Sequence, residues 1–197
     1  MSVLFLDICG FSAWPSGNHS EQAVVLKAMN VFMAEMMNIV RDFEGTFEKN
    51  TGDGLMAYFG TETAEAKEKV RLAVDAATIM HYVNDNLVSP WLVQNGCKAV
   101  AFRIGIDFGE VTIGRVGIPG GTNSFVAIGS TANIACKIMR LIPEGGICIG
   151  NEVYKLLPPF WSAWCAPITQ PTGFVYIASQ APYPAWRLDY RVPAPNQ

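Results

Sequence analysis

The sequence predicts an α+β fold in which helices pack on one face of a mostly antiparallel sheet. Half of the 197 residues are apolar and 16% are charged, which is enough for a hydrophobic core and excludes general disorder. Strand and helix patterns follow one another in the order β-α-β-β-α-β-β-α-β, with short turns that indicate antiparallel strand pairs. Two of the helix patterns are long and amphipathic, as helices that cover a sheet must be.

The first part of the chain carries the clearest patterns. Residues 3–6 form a continuous apolar run, typical of a central strand, and Asp7 follows directly. Ser20 is placed to cap a helix that runs to about Phe43, because apolar residues recur there at three- and four-residue spacing. Strands over residues 46–50 and 55–59 follow and are joined by a glycine-containing turn. A strand, a helix and a hairpin therefore begin the predicted sandwich.

The rest of the chain continues the alternation. A second long helix begins near Thr63, and a small-residue helix lies within residues 127–141. The expected strands and their connections, in order, are a hairpin of residues 99–107 and 110–116 turning at Phe108 and Gly109, a loop over 117–123, a strand over 145–149, a helical turn capped by Asn151, and a terminal hairpin of 174–178 with 186–192. These elements complete one domain-sized sheet with its helices.

Charge and cysteine content exclude several classes of protein. The net charge of −3 argues against a protein that coats nucleic acid or an anionic membrane. The apolar stretch over residues 23–40 is interrupted by Lys27, Asn30, Glu35 and Asn38, so no membrane span is expected. No basic leader precedes the first strand, and the five cysteines are scattered, as in free thiols of a reducing compartment. We therefore expect a cytoplasmic protein without a secretory signal or a zinc site.

Two aspartates stand out by position. Asp7 ends the first strand, and Asp53 lies at the tip of the next hairpin. If the two strands are neighbours in one sheet, both carboxylates extend from the same edge. Hard oxygen ligands placed in this way would hold one or two Mg²⁺ or Mn²⁺ ions. Taken alone, the same residues would also suit ordinary turns.

The residues next to these aspartates suit an anionic ligand. Gly10, Phe11 and Ser12 follow the first strand and offer backbone N–H groups for a triphosphate. Gly52 and Gly54 flank the second aspartate and allow the backbone to come close to a bulky anion. The pattern therefore indicates a phosphate site beside the metal site.

Four short motifs occur in order along the chain. They are DICGFS at residues 7–12, KNTGDGLMAYFG at 49–60, RIGIDFGEV at 103–111 and IGSTANIA at 128–135. Together they resemble the catalytic domain of class III nucleotidyl cyclases, over roughly residues 2–155. The element order and the resemblance both point to a ferredoxin-like palm. We expect a cyclase catalytic domain over residues 1–157 and a C-terminal extension over 158–197 that packs on the same domain.

The resemblance implies a head-to-tail homodimer with active sites at the subunit interface. Asp7, Asp53 and the carbonyl of Ile8 match the ligands of two divalent cations, Mn²⁺ or Mg²⁺. Asn133 matches an asparagine that holds the ribose, and Lys137 stands where relatives carry an arginine that stabilises the transition state. Lysine keeps the positive charge but lacks the planar fork of arginine, so activity is expected to survive the exchange.

Two positions bear on the base that the site accepts. Lys49 matches a lysine that reads adenine in purine-specific relatives, whereas the matching acidic or hydroxyl position holds Val126. The Lys49 ammonium can donate a hydrogen bond, whereas the Val126 side chain can neither donate nor accept one. This pair fits a base whose edge presents a carbonyl, such as uracil O4 or guanine O6. Backbone carbonyls or water could still supply an acceptor, which leaves other bases open. The residues therefore favour a base with a carbonyl at this position, uracil or guanine, over adenine or cytosine.

The function predicted from the sequence is a cyclase that converts a nucleoside triphosphate, favoured to be UTP, to the 3′,5′-cyclic monophosphate and pyrophosphate. No regulatory domain is expected before Met1. The chain resembles the pyrimidine cyclases of bacterial anti-phage signalling in three features: its small size, Lys137 in place of arginine, and Val126 in place of a residue that reads a purine. The product of those enzymes activates a separately encoded effector. The alternatives left open are a cytidylate cyclase, an adenylate cyclase and a cyclase-like module that binds nucleotide without turnover. A polymerase-type palm ranks below them, because the turn lacks an acidic pair beside Asp53.

Overall fold

The structure is a computed structural model that describes residues 1–14, 17–50, 52–60, 64–117 and 123–190. Within these ranges the strands are β1 Ser2–Ile8, β2 Gly45–Asn50, β3 Gly54–Phe59, β4 Phe102–Phe108, β5 Thr112–Gly117, β6 Asn123–Ile128, β7 Gly146–Gly150, β8 Cys165–Pro167 and β9 Ala185–Leu188. The α-helices are α1 His19–Asp42, α2 Ala66–Val83, α3 Ser89–Gln94, α4 Ser130–Ile138, α5 Asn151–Leu156 and α6 Pro159–Ser162. The five cysteines are free thiols.

One large sheet organises the molecule. Its strand order is β2-β3-β1-β4-β7-β9-β8, and every neighbouring pair is antiparallel except β4 with β7. The predicted α+β class with a mostly antiparallel sheet is therefore confirmed. Strand β1 lies between β3 and β4, so Asp7 has Gly54 opposite it on one side and Arg103 on the other.

Helices cover both faces of the sheet, whereas the sequence predicted helices on one face. Leu4 and Leu6 of β1 belong to the main core, which the long helices α1 and α2 close from one side. Val3 and Phe5 point to the opposite face, where α4 packs. This alternation follows from the two-residue period of a strand. Complete burial of Phe32 on α1 contributes about 1.5–3 kcal/mol of hydrophobic free energy.

Helix α1 is long and apolar, and its N-cap and its packing can be read from the structure. Its N-cap is Asn18, whose side chain accepts a hydrogen bond from the Glu21 amide, so the predicted cap at Ser20 was wrong. By length and mean hydropathy α1 would pass as a span. Its apolar stripe, however, is buried against the sheet at Phe32, Met36 and other core positions. The helix is therefore accounted for as a core helix.

The predicted hairpin of residues 99–107 with 110–116 was wrong. Strand β4 is flanked by β1 and β7, which leaves it no free edge. Strand β5 pairs instead with β6 in a separate two-stranded ribbon. The loop predicted over residues 117–123 and the helix predicted from residue 127 leave no room for β6, so the pairing of β5 with β6 was not predicted.

The predicted terminal hairpin was wrong as well. Strand β9 pairs with β7 and β8 and so adds the C-terminal segment to the large sheet. Residues 174–176 pair instead with 181–183. The Tyr183 amide donates a hydrogen bond to the Phe174 carbonyl, and the Tyr176 amide donates one to the Ala181 carbonyl. Residues 181–183 are closer in sequence to 174–176 than residues 186–192 are, because only a short turn separates them. Of the predicted second strand, residues 191 and 192 lie outside the described ranges.

Candidate functional site

Asp7 occupies the penultimate position of the central strand β1. It lies on the same side of the strand as Val3 and Phe5, the side on which α4 packs. Arg103 of β4 donates two hydrogen bonds to its Oδ2, at 3.0 Å from Nε and 2.6 Å from Nη2. Both side chains are about one fifth exposed. A guanidinium in this position fixes the orientation of the carboxylate.

Asp53 meets β1 through its backbone. The amide of Ile8 donates to the carbonyl oxygen of Asp53 at 3.2 Å, and Gly54 is the cross-strand neighbour of Asp7. Gly52 has a φ of 92°, a backbone conformation that favours glycine and brings the turn back into β3. The structure thus brings Asp7, Ile8 and Asp53 to one edge of the sheet.

The donors at this edge suit a hard divalent cation. Two carboxylates and a backbone carbonyl are the oxygen ligands that Mg²⁺ and Mn²⁺ prefer. In the part of the chain that the structure describes, no group of three or more His, Cys, Asp or Glu side chains forms a metal cage. A site here would therefore be completed by a substrate's phosphates or by water. Arg103 already places a positive charge on Asp7, as a cation at this edge would.

The segment after β1 turns sharply beside Asp7. Gly10 has a φ of 65°, and residues Phe11–Ala13 form a single 3₁₀ turn in which the Ala13 amide donates to the Gly10 carbonyl. Ser12 is exposed in this turn. Burial raises the pKa of the neighbouring Cys9 thiol, and thiol sulfur is not the type of ligand that Mg²⁺ or Mn²⁺ prefers. The turn predicted to contact phosphates thus lies next to the two aspartates.

Asn133 and Lys137 lie four residues apart on α4, and both side chains are exposed. The opposite side of the helix, at Ala132 and Ala135, packs against the sheet. Gly105 of β4 makes this close approach possible, because a Cβ there would collide with the backbone of α4. The helix therefore presents Asn133 and Lys137 to the outside, where a second molecule can reach them.

The ammonium of Lys137 lies over an aromatic ring of the C-terminal segment. Its Nζ is 5.2 Å from the centroid of the Phe174 ring, within the range of a cation–π contact. Phe174 belongs to residues 168–183, here called the terminal strap, which packs on α4 at Ile134 and Ile138. No local sequence pattern links Phe174 to α4, so this contact could not be predicted from the sequence.

Two predicted substrate-binding positions are only partly covered by the described residues. Lys49 and Val126, the two base-reading positions, have side chains outside the described residues, although their backbones lie in β2 and β6. Gly52 is described and exposed at the tip of the β2–β3 turn. Arg103 lies within the third sequence motif, but only the register of β1 with β4 places it opposite Asp7, so its contact with Asp7 could not be predicted from the sequence.

Comparisons with known proteins bear on the whole chain. The profile of the adenylate and guanylate cyclase catalytic domain matches residues 1–166. A cytidylate cyclase of Staphylococcus aureus is 27% identical over 157 residues, covering 78% of this chain and 36% of the relative. A cytidylate cyclase of Escherichia coli is 29% identical over 162 residues, covering 79% and 34%. The chain thus spans about a third of the length of these relatives.

Solved structures extend the comparison to the fold. The crystal structure of the adenylyl cyclase CyaB from P. aeruginosa aligns with a TM-score of 0.76 at 26% identity, over 96% of this chain and 94% of that one. The alignment therefore spans nearly the whole of both chains.

Proposed function

Because the chain belongs to the family of adenylate and guanylate cyclase catalytic domains, the class III nucleotidyl cyclases, we propose that it cyclises a pyrimidine nucleoside triphosphate. The reaction forms a bond from the ribose 3′-oxygen to the α-phosphorus and breaks the bond from the α-phosphorus to the β-phosphate oxygen. The products are the 3′,5′-cyclic monophosphate, pyrophosphate and a proton. The observation that carries the proposal is the meeting of Asp7, Ile8 and Asp53 at one sheet edge.

These residues would hold two divalent cations, Mg²⁺ or Mn²⁺. When bound, such ions lower the pKa of the 3′-hydroxyl and neutralise charge on the phosphates. Arg103 keeps the Asp7 carboxylate in one orientation through its two hydrogen bonds. The turn at Gly10 and Phe11 lies beside this edge and would accept the triphosphate on its backbone amides.

The site is completed by a second copy of the chain. Asn133 and Lys137 are exposed on α4 and would face the aspartates of a partner in a head-to-tail homodimer. Asn133 would hold the ribose so that its 3′-oxygen is in line with the bond that breaks. Lys137 would offset the charge that develops on the phosphate oxygens.

The choice of base rests on Lys49 and Val126. A lysine donor with an apolar neighbour favours the O4 carbonyl of uracil, and so UTP is the first candidate. CTP is the second, because two relatives are named cytidylate cyclases. We place the product in the cytoplasm as a second messenger of anti-phage defence that acts on a separately encoded effector. This role is supported by the resemblance to pyrimidine cyclases with such a role.

The proposal is tested by incubating the purified protein with each of ATP, GTP, CTP and UTP and with Mg²⁺ or Mn²⁺. Products are identified by mass spectrometry, and Asp53→Asn serves as the control. Cyclic UMP or cyclic CMP as the dominant product supports the proposal. Dominant cyclic AMP or cyclic GMP would contradict the pyrimidine assignment, and no cyclic product from any triphosphate would contradict cyclase activity.

A further inference from the structure

The terminal strap makes a specific contact with the outer side of α4. The Nζ of Lys137 is 5.2 Å from the ring centroid of Phe174, and Phe174 packs against the apolar cluster that includes Ile134 and Ile138 of α4. Among the described residues no carboxylate lies within ion-pair distance of this ammonium. The aromatic ring is therefore the group that holds the lysine head on this surface.

Phe174 is itself held by a set of short-range hydrogen bonds. Its carbonyl accepts from the Tyr183 amide at 2.9 Å, and its amide donates to the Thr172 hydroxyl oxygen at 3.2 Å. The Thr172 hydroxyl in turn donates to the Tyr183 carbonyl at 2.7 Å. Tyr183 is anchored to the sheet by its hydroxyl, which donates to Asp107 Oδ1 at 2.7 Å. The ring thus sits on a strap that is tied to the central strands.

A fixed ring matters because of the chemistry of lysine. The lysine ammonium is carried by a flexible four-carbon chain, so fixing its position costs side-chain entropy. Arginine loses less side-chain entropy for each hydrogen bond it forms, because its guanidinium group is planar and rigid. A ring that already holds the ammonium in one region reduces this cost before substrate arrives. The contact is electrostatic, so it restricts the head group without removing its charge.

We propose that Phe174 is a positioning residue that holds the ammonium of Lys137 for the phosphates of the substrate, which makes the terminal strap part of the catalytic apparatus. This inference rests on the proposed cyclase function and on the role of Lys137 within it. Phe174 acts through the lysine and does not touch the reacting atoms.

The test compares Phe174→Leu with Phe174→Tyr in steady-state kinetics. Phe174→Leu removes the ring, and we expect kcat to fall about two- to fivefold with KM changed less than twofold, as for loss of one exposed cation–π contact. Phe174→Tyr keeps a ring and should retain the wild-type kcat. Phe160→Leu is the matched control, because Phe160 is exposed and contacts Trp161 and Tyr190 instead of α4.

A double-mutant cycle separates positioning from general destabilisation. In a Lys137→Met background, Phe174→Leu should lower kcat no further, because the ring has no ammonium to hold. Full additivity of the two changes would overturn the inference. An increase of kcat in Phe174→Leu would overturn it too, since the ring would then withdraw the lysine from the site.

A structural readout checks the contact without turnover. In protein labelled with ¹³C at lysine, the ε-methylene protons of Lys137 should shift upfield in the wild type and lose this shift in Phe174→Leu. Identical shifts in both proteins would refute the contact. An inactive wild type would contradict the proposed function and with it the catalytic role, whereas an active wild type with an unchanged Phe174→Leu variant would overturn the positioning role alone.

Discussion

A buried carboxyl on the central strand β4 gives the sharpest prediction about stability. Asp107 is 2% exposed and accepts a hydrogen bond from the Tyr183 hydroxyl at 2.7 Å. Burial raises the pKa of this carboxyl from 3.8 to about 7, although the bond from Tyr183 opposes the shift. Between pH 4 and pH 7, approximately, the folded protein therefore keeps a proton that the unfolded chain has released.

The size of the effect follows from this difference in pKa. Each pKa unit corresponds to about 1.4 kcal/mol, so the shift of roughly three units amounts to about 4 kcal/mol. Because the folded state binds the extra proton, the contribution of Asp107 to the free energy of unfolding is greatest below this window. It is lost as the pH rises through about 7. Asp107→Asn cannot titrate and should lack this dependence, while its amide oxygen still accepts from Tyr183.

Urea unfolding followed by circular dichroism at pH 5, 6, 7 and 8 measures the effect. The stability of Asp107→Asn relative to wild type should rise by about 1.4 kcal/mol per pH unit up to pH 7 and then level off. Asp42→Asn, at an exposed site, is the matched control and should show a nearly constant difference. Tyr183→Phe removes a bond that favours the ionised form and should extend the window above pH 7. A stability difference for Asp107→Asn that does not change with pH would refute the reasoning.

Three further predictions concern the proposed active site. Asp7→Ala or Asp53→Ala should abolish product formation, because each removes a proposed metal ligand; activity within tenfold of wild type in the cyclase assay would contradict this. Arg103→Met should weaken Mn²⁺ binding by about 10- to 100-fold, as expected for a residue that orients a ligand, and calorimetric titration in the presence of a non-cyclisable nucleotide would show it; unchanged affinity would argue against the orienting role. Asn133→Ala should lower kcat more than nucleotide affinity, and equal kcat in wild type and variant would disprove the ribose-holding role.

Local patterns predicted the elements whose partners are near in sequence. The apolar run of β1, the stripe of α1 and the glycine turn between β2 and β3 each carry a strong local signal, and all three elements are present. The pairing predicted for β5 and for β9 was wrong, because the partner of a strand depends on which strands of the sheet still have a free edge. In the structure β1 and β7 pair with the two edges of β4. The sequence pattern within β4 does not indicate this.

The site divides in the same way. Asp7 and Asp53 could be identified because each lies at a recognisable strand end or turn. Arg103 is 96 residues from Asp7 in sequence, and only the register between their strands brings them together. Phe174 reaches Lys137 through the packing of the terminal strap on α4, which no sequence spacing encodes. Residues that act through another residue are therefore the ones that sequence reasoning missed.

We propose that each site combines Asp53 of one copy with Asn133 of another, and mixing a variant of each residue, both with reduced activity, tests this directly. Asp53→Ala and Asn133→Ala homodimers each lack one of the two groups at both sites. A heterodimer of the two carries one site with both defects and one intact site. Mixed in equal amounts with free exchange of subunits, the variants should regain about one quarter of wild-type activity, since half of the dimers are mixed and each has one working site. No recovery, with subunit exchange verified by native mass spectrometry, would contradict a site shared between two chains.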